Sequence, residues 1–253
     1  MTKTDTFQLN DIWIALSLLT RLPAPKPDWQ DDTPAARAAR AYPVAGFAVA
    51  GLAGLVAHGL LWAGLDASLV AGLVLALMAM ATGAMHEDGL ADCADGIWGG
   101  WDKNRRLKIM KDSNIGTYGV IALVLSFGLR WMALSFLFEA GWVLAPLLAS
   151  AVASRSAMTW VMHLLPHARD DGLAVQTGRP HAPAVYASTL ISVVLCLMLT
   201  GMGTLLILAA AGFATGFVAG VARRKIDGQT GDVLGATQQV NDMLILCALT
   251  LML

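Results

Sequence analysis

The chain has 253 residues, of which 57% are hydrophobic and only 14% are charged, and its mean hydropathy is +0.62. A soluble globular protein averages about 45–50% apolar and about 25% charged residues. The composition therefore excludes a disordered chain, a nucleic-acid-binding protein with a basic surface and an ordinary soluble enzyme, and it predicts an integral membrane protein. The three cysteines lie far apart, so we expect neither a disulfide framework nor a cysteine zinc site.

The polar first ten residues do not resemble a cleaved signal peptide. A short apolar run over residues 11–22 is too short to cross a bilayer and predicts an interfacial or re-entrant helix. After it come seven segments of the roughly 20-residue length that a membrane span needs. These predicted spans are residues 43–62, 66–85, 115–138, 142–163, 183–200, 204–221 and 233–253. The predicted fold is a single all-α domain, a polytopic transmembrane helical bundle of about seven spans plus the short N-terminal helix.

Two of the predicted spans have unusual surfaces. Residues 235–242 are too polar to face lipid, and we expect them to face protein or water. Gly212, Gly216 and Gly220 form a ridge of small residues in the sixth span, which predicts close packing against another helix.

The basic residues predict the orientation of the chain in the membrane. If the spans alternate, 15 of the 17 Lys and Arg residues fall on the side of the N-terminus, and the other two, Arg130 and Arg155, lie inside spans. Cytoplasmic loops carry the excess of Lys and Arg. We therefore expect the N-terminus to be cytoplasmic in an inner membrane. The candidate active site then lies on the same side, in loops 86–114, 164–182 and 222–232.

The densest polar motif follows the second span. Residues 87–112 hold 11 of the 35 charged residues, and Asp88, Asp92 and Asp95 have the spacing i, i+4, i+7, which places them on one face of a helix. Three carboxylates on one face repel one another unless a cation lies between them, and Mg²⁺ favours carboxylates, water and phosphate oxygens. The alternative is an acidic loop that is simply solvated. Gly89 and Gly96 would allow a ligand to approach the backbone closely.

Five cations, from Lys103 to Lys111, follow this acidic motif. A run of carboxylates followed by Arg and Lys suits a phosphate held partly through a metal ion, although the positive-inside bias alone would explain most of these cations. Arginines are costly inside a membrane, which favours a function for Arg155, which could reach a cytoplasmic cavity. Arg130 lies deeper, toward the far side, and internal pairing or extension of its side chain to the interface is the favoured alternative to a function there. Asp232, at the start of the last span, is equally well explained as a helix cap or as a second charged ligand.

Several motifs together resemble the cobalamin synthase family. They are His86-x-Asp-Gly-Leu-Ala-Asp-x-x-Asp-Gly96, Ile109-Met-Lys-Asp-Ser113, Gly116-Thr-Tyr-Gly119, Ser154-Arg155, Ala168-Arg-x-x-Gly-Leu173 and Gln229-Thr-Gly-Asp-x-x-Gly-Ala236. The motifs occur in order from about residue 10 to the C-terminus. The resemblance implies an Mg²⁺-dependent inner-membrane enzyme of vitamin B12 biosynthesis. It would join adenosylcobinamide-GDP to α-ribazole or α-ribazole 5′-phosphate and release GMP; formation of a homo-oligomer is left open.

The resemblance also implies roles for individual residues. Asp88, Asp92 and Asp95 would hold Mg²⁺, with Asp112 as a further candidate, and one of these carboxylates or His86 would accept the proton of the attacking hydroxyl. The expected substrate and phosphate ligands are Arg105, Lys111, Ser113, Arg155, Arg169, Thr230 and Asp232.

The chain departs from the family pattern at three positions. Lys108, Gln239 and Asp242 stand where the family usually has glutamate. Gln239 removes a charge near the expected cavity, which argues against a catalytic role for that position.

The rival interpretation is a polytopic transporter with an acidic cation-binding site at its cytoplasmic face. Transporters usually show internal repeats and broken helices near the middle of the bilayer. The polar motifs here gather at one face of the membrane instead.

Overall fold

The computed structural model describes residues 7–29 and 34–253, and this part of the chain is helical and contains no strand. Lys3 and the polar start at residues 1–6, which entered the sequence interpretation, lie outside the described residues. The helices are α1 (Leu9–Leu19), α2 (Pro34–Ala38), α3 (Tyr42–Trp62), α4 (Ala67–Thr82), α5 (Met85–Gly99), α6 (Lys103–Ile109), α7 (Thr117–Glu139), α8 (Leu144–Leu164), α9 (Leu173–Thr177), α10 (Ala182–Thr200), α11 (Thr204–Ile226) and α12 (Gly231–Leu249).

The seven predicted spans coincide with seven of these helices, namely α3, α4, α7, α8, α10, α11 and α12. By length and composition alone, three stretches are apolar and long enough to cross a membrane: Ala35–Trp62, Thr117–Glu139 and Ala182–Ile226. The bent pair α4–α5 makes a fourth if it is counted as one span. The all-α polytopic membrane fold is therefore confirmed.

The stretch Ala182–Ile226 is a helical hairpin. A 3₁₀ turn at Gly201–Gly203 separates α10 from α11, and both helices line the same groove against α8. The glycine ridge of α11 faces this open side: a Cβ atom added at Gly212, Gly216 or Gly220 would meet nothing within 4 Å. The predicted close packing of the ridge is therefore wrong for residues 7–29 and 34–253, because no other helix in this part of the chain approaches it closely.

Helix α8 forms the centre of the bundle. It packs against α3, α10, α11 and α12, and most of its residues are buried. Small residues make these contacts close; at Gly46, for example, an added Cβ would overlap the Ala151 carbonyl of α8.

The loops separate into two groups at opposite ends of the bundle. At one end, the C-terminal end of α3 and the α7–α8 turn line one cavity, and Gly203 packs against Met252. At the other end, Arg106 donates a hydrogen bond to the Lys225 carbonyl (3.0 Å), and a parallel bridge joins His167 to Gln229. The cation-rich loops therefore share one end of the molecule.

Helix α5 lies outside the seven spans. The chain turns by 90° between α4 and α5, at Gly83 and Ala84, which both have left-handed φ values, 65° and 54°. Residues 86–99 were predicted within a loop, and this detail is wrong because the acidic motif is itself a helix of 15 residues. The short apolar helix near the N-terminus is present as α1 and packs against α2 and α3.

Candidate active site

The position of the acidic motif depends on a close crossing of α5 and α12, where Gly89 of α5 meets Gly235 of α12. A Cβ atom added at Gly89 would lie 3.0 Å from the Asp232 carbonyl oxygen and 3.1 Å from the Gly235 Cα. Gly96 packs in the same way against Met110 and the Arg106 backbone of the α6 segment. These glycines therefore allow close packing of protein elements, and not the approach of a ligand as the sequence suggested.

The crossing gathers negative charge around Asp92. Asp88 is exposed and Asp92 is half-buried, and burial, followed by the charges of Asp88, Asp232 and Asp95, raises the pKa of Asp92 from 3.8 to about 7, with only Arg169 opposing. Burial is the larger cause of this raised pKa and the neighbouring carboxylates add to it, so Asp92 lies where its ionised form is poorly stabilised. We call Asp88, Asp92 and Asp232 the acidic cluster.

Asp95 has a different role from its two neighbours in the motif. Its carboxylate is buried and accepts hydrogen bonds from the Gly116 N–H (2.7 Å) and the Gly119 N–H (2.9 Å). It thereby satisfies backbone donors at the start of α7, which would otherwise lack partners. Both oxygens of the expected third metal ligand are thus engaged by the backbone, and this contact also explains the Gly116–Gly119 motif.

Two loops pair to hold Asp232 in position. The Ala168 N–H donates to the Gln229 carbonyl (2.9 Å), and the Gln229 N–H donates to the Pro166 carbonyl (2.8 Å). Thr230 caps α12 by accepting from the Val233 N–H (3.3 Å), and its hydroxyl donates to Asp232 (3.1 Å). The cap of the last span is therefore Thr230, and the interpretation of Asp232 as a cap is wrong.

A chain of ion pairs borders the acidic cluster. Arg169 lies 3.5 Å from a carboxylate oxygen of Asp232 and 3.6 Å from one of Asp171, and Asp171 in turn pairs with Lys111. One terminal nitrogen of Arg169, Nη1, is buried without a hydrogen-bond partner. Of the predicted phosphate ligands, Arg169 therefore pairs directly with Asp232 of the acidic cluster, and Lys111 is linked to Arg169 through Asp171.

Three other predicted site residues lie in exposed positions with local contacts. Asp112 accepts hydrogen bonds from the Asn114 side chain (2.7 Å) and backbone (3.2 Å), and these bonds lower its pKa. An acid with a lowered pKa is a poor proton acceptor. Arg105 stacks over the Trp101 ring at 5.4 Å, and Ser113 is exposed. The structure does not show contacts between these residues and the acidic cluster.

Arg155 does not reach the acidic cluster. It is 1% exposed, and its guanidinium donates to the Ala151 carbonyl of its own helix (3.1 Å). The carboxylates whose charges act on it are Asp242 and Glu87. Its predicted contact with a phosphate would require the bundle to open.

Arg155 and Arg130 instead belong to a group that we call the buried network. It consists of Glu87, Arg130, Arg155, Gln239 and Asp242. Arg130 lies 3.5 Å from Asp242 and 3.8 Å from Glu87, and the Gln239 amide donates to Glu87 (2.9 Å). Sequence reasoning missed Glu87, although an arginine inside a membrane should have prompted a search for its counter-charge.

His86 lies between the two groups of charges. It is 1% exposed, and its Nε2 atom has no hydrogen-bond partner in the part of the chain that the structure describes. It lines a cavity together with Arg169 and Asp232. Its burial makes a direct role as the proton acceptor less favourable than one for Asp92.

The acidic cluster suits a cation that substrate and water help to bind. Within residues 7–29 and 34–253, no group of three or more His, Cys, Asp or Glu side chains is arranged to hold a metal ion by itself. Mg²⁺ usually takes only one or two carboxylates, with water and phosphate oxygens completing its shell. Asp88 and Asp92, neighbouring carboxylates on one face of α5 with Asp88 exposed, fit this requirement.

Comparison with known proteins gives a consistent result. A sequence model of the family described as Cobalamin-5-phosphate synthase matches residues 11–250. The chain is 42% identical to an adenosylcobinamide-GDP ribazoletransferase of Bradyrhizobium diazoefficiens, over 97% of this chain and 95% of the relative. It is 43% identical to the enzyme of the same name from Sinorhizobium medicae, over 96% of this chain and 96% of the relative. It is 44% identical to that from Rhizobium etli, over 93% of this chain and 94% of the relative. No solved structure matches.

Proposed function

The chain belongs to the cobalamin-5-phosphate synthase family, and from this membership we propose that it is an adenosylcobinamide-GDP ribazoletransferase. It joins adenosylcobinamide-GDP to α-ribazole, or to α-ribazole 5′-phosphate, in the last steps of vitamin B12 biosynthesis. The observation that carries the proposal is the match of near full length, since the relatives that bear this name cover almost all of the chain.

The reaction is a phosphoryl-type transfer. A hydroxyl oxygen of the ribazole forms a bond to the cobinamide-side phosphorus of the pyrophosphate. The bond from that phosphorus to the bridging oxygen breaks, and GMP leaves with the bonding electron pair. Catalysis of such a transfer depends mainly on positioning and charge stabilisation, which the polar end of this bundle is suited to provide.

Asp92 is our candidate for the group that accepts the hydroxyl proton. Its pKa of about 7 lies close to neutral pH, where a general base works best. The half-buried carboxylate stands beside the exposed Asp88 on the same helical face, so a bound hydroxyl can reach it from solvent.

Asp88 would hold Mg²⁺ together with phosphate and water oxygens, which leaves the Asp92 carboxylate available as the proton acceptor, and the ion would supply charge neutralisation at the pyrophosphate. Arg169 and Lys111 would bind the remaining phosphate oxygens. Both now pair with Asp171, and an arriving phosphate would compete with that carboxylate. We place this end of the bundle in the cytoplasm of a cell with an inner membrane, because it carries the basic loops.

The transporter interpretation is not favoured, because the relatives over nearly the whole chain are named as transferases. The acidic cluster also lies at one end of the bundle, beside the loop that precedes α12. A transporter would place its site near the middle of the membrane.

The test is an assay of the purified protein in detergent or nanodiscs with adenosylcobinamide-GDP, α-ribazole and Mg²⁺. We expect GMP and a cobalamin product from the wild type, loss of both with EDTA, and loss of both in Asp88→Asn. The matched control is Glu139→Gln, which removes an exposed carboxylate at the C-terminal end of α7 and should keep full activity. Absence of turnover by folded wild type with either ribazole form would refute the function. Full activity of Asp88→Asn would keep the function and reject this metal site.

A further inference from the structure

A cavity lies directly beside the acidic cluster, between the first turns of α5 and α12, the helices α1 and α8, and the short helix α9. Its volume is about 150 Å³. Its walls are largely apolar, and the apolar side chains that line it include Leu18, Leu19, Met85, Met158, Met162 and Leu234.

The size of the cavity limits what it can hold. An apolar cavity of about 150 Å³ accommodates a benzene-sized molecule. This cavity, open beside Arg169 and Asp232, therefore has room for one small flat ring system. A corrin macrocycle or a complete nucleotide does not fit.

The lining favours an aromatic ligand with few polar edges. Met85, Met158 and Met162 present three thioethers from two helices, and methionine sulfur makes favourable contacts with aromatic rings and adapts to their shape. A purine such as guanine has donors and acceptors around both rings. Polar lining residues such as His86, Arg169 and Asp232 could pair with some of them, but those that face the Leu and Met side chains would be left unpaired. A benzimidazole-type base has only apolar carbons around its six-membered ring.

Two unpartnered nitrogens in the lining point to a ligand with one or two polar atoms. Nε2 of His86, which is 1% exposed, and Nη1 of Arg169 are buried and have no hydrogen-bond partner among the described residues, and both residues line the cavity. Buried polar groups are normally hydrogen-bonded. A ring nitrogen or a ribose oxygen of a bound nucleoside would complete these two groups.

We propose that this cavity binds the apolar heteroaromatic base of the nucleoside co-substrate, and that it selects benzimidazole-type bases over purines. The inference rests on the proposed function, because that function identifies the co-substrate as α-ribazole. With the base between Met158 and Met162, the ribose lies at the side of the cavity lined by Arg169 and Asp232. Its hydroxyls then face the acidic cluster, where the transfer takes place.

The experiment fills or enlarges the cavity and measures the two substrates separately. We expect Met162→Trp to raise the KM for α-ribazole about tenfold or more, since filling a packed site excludes its ligand, with the KM for adenosylcobinamide-GDP changed less than twofold. Met158→Ala should shift the preference toward a bulkier naphthimidazole riboside by about tenfold or more, a discrimination typical of one methylene. Met132→Trp is the control, because this methionine is 70% exposed on α7.

A second measurement separates failure of the cavity from failure of the function. Equilibrium dialysis of α-ribazole against the protein in nanodiscs should show binding to wild type and Met132→Trp, and loss of it in Met162→Trp. If the wild type binds α-ribazole in this way but shows no turnover, the function fails and the cavity stands. An unchanged KM for α-ribazole in Met162→Trp, or a raised KM for the cobinamide substrate alone, overturns the proposal. If Met162→Trp does not fold, an unchanged base preference in Met158→Ala overturns it.

Discussion

Glu87 and Asp88 are neighbours on one helix, but they belong to groups of charges with opposite character. Glu87 points into the buried network, where two arginines face two carboxylates and a glutamine donates to Glu87. Asp88 belongs to the acidic cluster, where three carboxylates meet only Arg169. The charges of the network are nearly balanced by its own side chains, whereas the acidic cluster has more carboxylates than opposing cations among the described residues.

This difference separates a structural role from a functional one. A buried charge with its partner present keeps a fold together, because removing either partner leaves the other unpaired in a dry environment. A crowded set of like charges weakens the fold and persists only where it serves binding or catalysis. The two groups should therefore respond in opposite ways to the loss of one charge.

The largest effect is expected for Asp92→Asn. Removing the proposed proton acceptor should lower kcat by about 10²–10⁴-fold, while the unfolding temperature stays the same or rises, because the like charges of Asp88 and Asp232 lose a repulsive neighbour. Product formation and thermal unfolding in the same detergent measure the two effects. A variant that loses stability together with activity would show that Asp92 supports the fold.

Arg130→Met should have the opposite profile. It leaves Asp242 and Glu87 without the guanidinium that lies 3.5 and 3.8 Å from them, and breaking a buried pair costs about 3–5 kcal/mol. Denaturant or SDS titration of the folded protein measures this loss. The double variant Arg130→Met/Asp242→Asn restores the balance of charge and should recover part of it; equal stability of the single and double variants would contradict an ionic network.

The helix crossing can be tested by one added methyl group. Gly89→Ala places a Cβ 3.0 Å from the Asp232 carbonyl, so α5 must move away from α12, at a cost of about 1–3 kcal/mol. We expect kcat to fall as well, because Asp88 and Asp92 move away from Asp232. Gly212→Ala in α11 is the matched control, since it meets nothing within 4 Å, and it should leave kcat and stability unchanged. A full-activity Gly89→Ala would show that the position of α5 is not critical.

Much of this arrangement could be predicted from the sequence, because the signals are local. Apolar length located the seven helices that were predicted as spans, and the spacing of Asp88 and Asp92 placed them on one helical face. The roles of Asp95 and Arg155 could not be predicted, because they depend on which distant segment each side chain meets: the start of α7 for Asp95, and α12 with Glu87 for Arg155. The packing prediction made from the glycine ridge was wrong for a related reason. A pattern of small residues indicates that a helix can pack closely, but not that a partner helix is present.

The pH dependence offers the finest test, because it separates the stability of the protein from its activity without any substitution. The raised pKa of Asp92, about 7, means that between about pH 4 and pH 7 the folded chain binds a proton that the unfolded chain has released. The stability that this group contributes therefore decreases as pH rises through that window. Activity needs the ionised carboxylate, so it increases by up to about tenfold per pH unit and levels off above pH 7.

Raising the Mg²⁺ concentration should move the activity midpoint to lower pH, because a bound cation favours the ionised form. The kcat/KM profile of the wild type at two Mg²⁺ concentrations, set beside its thermal unfolding over the same pH range, provides the measurement. An activity midpoint near pH 4 would contradict the raised pKa, because Asp92 would then be ionised over most of the range from pH 4 to pH 7. The carboxylates around it would in that case be compensated by the protein, like those of the buried network.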